Sequence, residues 1–107
     1  MLKPLDVENA GKRLTVKLTV NFMAICPVDD NPDFYKLEIV FVPGKHTLDI
    51  ISLRHYLLKY QGQKILAEDL AVTLVNDLDV ALSPKMLSMK LTNNAEGIEI
   101  EVQQEKK

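Results

Sequence analysis

The chain has 107 residues, 47% hydrophobic and 26% charged, with a formal net charge of −2. This is one domain, residues 1–107, able to bury about 60–70% of its unfolded surface. The faintly acidic balance argues against a strongly basic nucleic-acid binder, though a local basic patch is compatible with it.

Residues 1–12 show no periodicity and read as an arm or a loose terminus. From Leu14 the chain alternates: Leu14, Val16, Leu18, Val20 and Phe22 share one face, and Thr15, Lys17, Thr19 and Asn21 the other. That pattern predicts a half-buried strand. A second strand follows, with Tyr35, Leu37, Ile39 and Phe41 alternating with Lys36, Glu38 and Val40 until the turn pair Pro43-Gly44. Ser52 is placed to cap a short helix carrying Leu53, Tyr56, Leu57 and Tyr60, with Gly62 stopping it. A second helix runs from about Leu66 to Leu82, with leucines at 66, 70, 74, 78 and 82 on one stripe. Glu68 and Asp69 stand in its first turn, where the helix dipole favours acids, and Pro84 prevents continuation. Two more alternating segments close the chain: Leu87, Met89 and Leu91, then Ile98, Ile100 and Val102. A turn of about five residues, Asn93 to Gly97, joins them, and Gln103 to Lys107 reads as a polar tail.

The order strand, strand, helix, helix, strand, strand predicts an α+β fold. Two helices would cover the apolar face of an antiparallel four-stranded sheet, leaving a polar face and two long edges. Such edges are a liability that proteins commonly cover or close. No apolar run approaches the ~20 residues of a membrane span and no signal-peptide pattern opens the chain. With a single cysteine there is no internal disulfide, so the expectation is a cytoplasmic, non-membrane protein.

That cysteine begins the stretch Cys26-Pro27-Val28-Asp29-Asp30-Asn31-Pro32-Asp33-Phe34 between the first two strands. Proline fixes its own φ and steers the preceding residue toward extended geometry, so the loop is stiff. A thiol and a carboxylate at its two ends are one way to build a nucleophile with an acid beside it. The same residue types also serve as an inert buried thiol and an Asx-turn aspartate. Asp29 and Asp30 are better explained as turn residues. Glu68 alone reads as a helix first-turn acid. His46 and His55 with one cysteine give no metal-ligand spacing, so no metal is expected. His55 reads as a surface or interface residue. Arg54, Lys59 and Lys64 with Tyr60 form a basic, aromatic group that is either an RNA-phosphate contact or a solvated helix face.

Cys26-Pro27 followed by Pro32-Asp33-Phe34 resembles the nitrile-handling QueF group of the tunnelling-fold superfamily, which acts on 7-cyano-7-deazaguanine. The resemblance continues through Tyr35-Lys36-Leu37-Glu38-Ile39, Val42-Pro43-Gly44, Asp49 to Tyr56 and Leu66-Ala67-Glu68-Asp69. It implies a ββααββ tunnelling fold whose subunits join edge to edge into an oligomeric barrel of two face-to-face rings, a decamer. It also implies roles for residues. Cys26 adds to the nitrile carbon as a thioimide, Asp33 supplies the proton, Glu68 holds the amino-pyrimidine edge, and Asp49 stands where a substrate-binding glutamate is found.

Departures narrow the resemblance. The bacterial reductases of the group carry Glu-Ser-Lys-Ser-Leu-Lys-Leu-Tyr, whose lysines help bind NADPH; this chain reads Asp49-Ile50-Ile51-Ser52-Leu53-Arg54-His55-Tyr56. Their Phe-His-Glu becomes Leu66-Ala67-Glu68, without the histidine of the hydride steps. With thioimide-forming parts kept and reducing parts lost, the chain is similar to the archaeal QueF-like archaeosine synthases. That similarity implies an amidinotransferase acting on tRNA that carries 7-cyano-7-deazaguanine, with ammonia as co-substrate and no other cofactor. An NADPH-dependent nitrile reductase, or a non-catalytic protein of this fold binding a purine-like ligand or RNA, are the alternatives.

Overall fold

The computed structural model describes residues 1–8 and 13–106. Among these residues, six strands and two helices occur in the order β1 (Pro4–Asp6), β2 (Val16–Ile25), β3 (Pro32–Val42), β4 (His46–Leu48), α1 (Ile50–Leu58), α2 (Ala67–Leu82), β5 (Met86–Ala95) and β6 (Ile98–Lys106). The long strands form one antiparallel sheet in the order β2-β3-β5-β6. The expected α+β layout is present, with β2 and β6 at the edges.

The core follows from alternation. On β3, Tyr35, Leu37, Ile39 and Phe41 are buried, and on β5 so are Leu87, Met89 and Leu91. Across the opposite face Glu38 meets Lys17, Lys36 and Lys90 at 3.7, 3.2 and 3.8 Å. The Lys36 bond first, then the charges of Lys90, Lys17 and Lys36, hold the Glu38 carboxyl below its ordinary value. From α2, Leu70, Leu74, Leu78 and Leu82 enter the core, whereas Leu66 is the exposed N-cap position. Leu74 is fully enclosed, so Leu74→Ala should cost about 2–5 kcal/mol, read as a lower midpoint in urea denaturation.

Five local expectations need correction. The N-terminal arm is not loose up to Asp6: Pro4–Asp6 pairs with His46–Leu48, a strand the sequence reading missed, and Leu2 is buried; residues 9–12 lie outside the described set. The cap of α1 is Asp49 rather than Ser52, because its Oδ1 accepts from the N–H groups of Ile51 and Ser52 at 2.9 and 3.3 Å. Ser52 instead accepts from the Lys3 N–H at 2.9 Å, tying the arm to the helix. The helix ends at Leu58, short of Gly62, in successive tight turns that still bury Tyr60. The last hairpin has a two-residue turn, Glu96-Gly97, with φ of 54° and 78°, and Ala95 pairs with Ile98. Positive φ at both positions is the geometry whose twist matches the flanking strands. The polar tail is strand as far as Lys106 because Gln103 to Lys106 pair with β5.

Gly44 is required for a different reason. A Cβ there would lie 3.0 Å from the Ser83 carbonyl oxygen, where Ser83 ends α2 in the left-handed region.

Candidate active site

The loop after β2 closes on itself. Cys26 N–H donates to Asn31 O at 2.9 Å, Asp30 N–H donates to Cys26 O at 3.0 Å, and Asp30 takes a positive φ of 62°. Asp29 accepts from the Asn31 N–H at 3.0 Å, an Asx turn as expected. This backbone bond, with a smaller contribution from the Cys26 thiol, holds the Asp29 carboxyl below its ordinary value. Lys64 reaches the loop from outside, 2.9 Å from Asp30. Both groups are exposed, so the ion pair adds little stability.

A second strap sets the loop against α2. Ile25 N–H donates to Gln63 O and Ile65 N–H to Ile25 O, at 2.9 and 3.1 Å. The segment that leads into α2 is thereby fixed beside the end of β2. Glu68, in the first turn of α2, is exposed there, and Cys26 is half-buried.

Asp33 is one of two buried polar residues among those described, at 8% exposure. It pairs with Ala24 across the sheet, so Cys26, two residues beyond Ala24, projects on the same side of the strand alternation. Tyr35, two residues along β3, is buried, stacks on Phe22 with centroids 5.4 Å apart, and donates to Asp33 Oδ2 over 3.4 Å. Burial, then the charge of Asp33 and the bond to it, then Cys26 and Glu68, push the Tyr35 hydroxyl above the ordinary value of 10.0. Of the three, Asp33 bonds to the phenol, whereas Cys26 and Glu68 bear on it only through their charge.

Asp49 caps α1 through its carboxylate. The cavity of about 760 Å³ that Phe22, Tyr35, Arg54, Gln61 and Asn93 help to form is lined by Tyr35, the neighbour of Asp33, and by none of Cys26, Asp33, Asp49 and Glu68. Of the basic group, Arg54 lines that cavity, Lys64 is paired with Asp30, and Lys59 lies 4.1 Å from the Tyr56 ring centroid. His55 is exposed. Tyr35 and Asn93 were read from sequence as a core position and a turn residue. The available signal was parity, since Tyr35 must share the face of Asp33, and Asn93 continues the Leu87, Met89, Leu91 series.

A second phenol is also buried. Tyr56 donates to Asp77 and shares a 3.1 Å hydrogen bond with Tyr60. Burial first, then the bonds to Asp77 and Tyr60, push its hydroxyl up. A raised folded-state value means stability fully present below the unfolded value and lost as pH rises above it. The melting temperature should therefore hold to about pH 9.5 and fall beyond pH 10, and Tyr56→Phe should flatten that fall in a pH series of thermal melts.

The model of the QueF-like protein family matches residues 32–107, a span that includes Asp33, Asp49 and Glu68 and begins after Cys26. The chain is 33% identical over 76 residues to an NADPH-dependent 7-cyano-7-deazaguanine reductase of Chlorobaculum parvum, covering 71% of this chain and 66% of that protein. It is 27% identical over 87 residues to an archaeosine synthase of Pyrobaculum calidifontis, covering 81% and 80% respectively. The crystal structure of the archaeosine synthase QueF-Like in the apo form superposes with a TM-score of 0.81 at 26% identity, covering 85% of this chain and 91% of that one. The chain belongs to the QueF-like protein family.

Proposed function

We propose that the protein is a tRNA-modifying amidinotransferase that converts 7-cyano-7-deazaguanine in the tRNA D-loop to archaeosine. The observation that carries this reading is the buried Asp33 carboxyl, bonded to Tyr35 at the exit of the stiff loop that begins with the half-buried Cys26. The archaeosine synthase likeness in sequence and fold supports it.

The reaction balances without an oxidant or reductant. Cys26 sulfur bonds to the nitrile carbon while one carbon–nitrogen π bond becomes N–H, with Asp33 passing the proton, to give a thioimide. Ammonia then adds to the same carbon. The carbon–sulfur bond breaks, the thiolate recovers its proton, and the amidine is released. Glu68 holds the amino-pyrimidine edge, for which a carboxylate accepting two N–H bonds is suited. Asp49, the other substrate-binding residue of this reading, has its Oδ1 engaged as the cap of α1. The subunits assemble through the β2 and β6 edges into two face-to-face rings; size-exclusion chromatography showing only a 12.1 kDa monomer would count against this.

Nitrile-bearing tRNA incubated with ammonium should yield archaeosine on nucleoside analysis, with no NADPH required. Reduction is the second reading, favoured by the reductase relative. Against it, Ile51 is apolar where those enzymes have a phosphate-binding lysine, and Ala67 is packed at 8% exposure where they have a histidine. NADPH oxidation on adding the free nitrile base, with no archaeosine formed, would establish reduction instead.

A further inference from the structure

Asn93 is the other buried polar residue among those described, at 4% exposure, and its Oδ1 has no hydrogen-bond partner. A buried carbonyl oxygen left unpaired costs about 1–3 kcal/mol, so its retention asks for a ligand. The other such atom among the described residues, His46 Nδ1, has the Asp6 carboxylate 3.3 Å away, although not in hydrogen-bond geometry.

Its position is informative. Asn93 is the register partner of Tyr35, so the two side chains leave the same sheet face with Cβ atoms about 4.5–5.5 Å apart. Both line the same cavity, and the Tyr35 hydroxyl bonds to Asp33. An unpaired acceptor therefore stands one strand across from the tyrosine that supports the acid. A second carboxylate there would repel Asp33. A neutral amide oxygen accepts an N–H without adding charge.

We infer that Asn93 is a binding residue of the reaction, its Oδ1 accepting an N–H bond from a nitrogen reactant held beside Asp33. The inference rests on the amidine-forming reading above. Two sources supply such an N–H: the attacking ammonia, or the amino group of the heterocycle. Ammonia carries three hydrogens and is oriented for attack by acceptors around it; Asn93, opposite Tyr35, and Asp33, two residues along β3, offer acceptors from neighbouring strands.

The test compares wild type with Asn93→Leu, nearly the same size but with no acceptor; Asn93→Ala replaces it if the leucine variant does not fold. Intact mass spectrometry follows the Cys26 adduct with the free nitrile base, and nucleoside analysis follows amidine formation on nitrile-bearing tRNA across ammonium concentrations. The adduct should still form in the variant while one half-saturating concentration rises about tenfold or more, as expected for one lost hydrogen bond. A rise for ammonium assigns Asn93 to the nucleophile, and a rise for the nitrile base assigns it to the heterocycle. If neither moves by more than about twofold, Asn93 is structural and the inference is overturned, with the Cys26 reading intact. If wild type forms no adduct at all, that reading fails and Asn93 falls with it.

Discussion

Cys26→Ala should show no mass increase on incubation with the nitrile base, and its turnover of nitrile-bearing tRNA should fall by at least about 10³-fold, the scale of losing a covalent nucleophile. The expectation rests on placement. Cys26 is half-buried at the end of β2, and its backbone is held by two hydrogen bonds within its own loop. Because the side chain is small and outside the buried core, alanine should leave the melting temperature nearly unchanged. Loss of reaction with an intact fold then reports chemistry rather than collapse. An adduct of undiminished yield on the alanine variant would show that some other group reacts.

Asp33→Asn is expected to slow adduct formation by about 10²–10⁴, the usual worth of a positioned proton donor or acceptor. Asparagine matches the aspartate in shape, and its amide oxygen still accepts from the Tyr35 hydroxyl, so the Phe22–Tyr35 stack should persist. What disappears is the exchangeable proton. The rate should be measured by quenching at timed intervals and weighing the intact protein. A variant reacting at more than about a tenth of the wild-type rate would remove Asp33 from the chemistry and leave it as a strand-entry residue.

The two substitutions act at different depths, which makes them separable. In the proposed reaction Cys26 supplies the bond to carbon and Asp33 only the proton, so a slow but complete adduct is expected from Asp33→Asn and none from Cys26→Ala. Tyr35 supports Asp33: its hydroxyl bonds to the carboxylate while its ring stacks on Phe22.

Much of this was legible in the sequence. Period-two alternation in β2, β3 and β5 defined the sheet faces, and the leucine stripe from Leu70 to Leu82 defined the buried side of α2, because side-chain direction in regular elements is fixed by backbone geometry. The loop motif brought out Cys26 and Asp33 by resemblance. Short elements were less legible. Pro4–Asp6 and His46–Leu48 are three residues each, too short to show a period, and exist as strands only because they pair with one another. Ser52 and Asp49 are both good caps, and only the chain direction leaving β4 selects Asp49. The hairpin was foreseen as a five-residue turn because Asn93 and Asn94 are typical turn residues, yet pairing with Glu99 and Ile100 holds them in strand.

What the linear order determined by itself is the set of faces: which side chains are buried, which are wet, and where the stiff cysteine loop lies between its strands. Tertiary structure alone decided which residues meet. The strap from Gln63 to Ile65 brings the start of α2 to the end of β2, and the β3–β5 register sets Asn93 beside Tyr35. Neither is encoded by local periodicity, since each depends on hydrogen bonds between segments tens of residues apart whose partners are fixed only when the whole core packs.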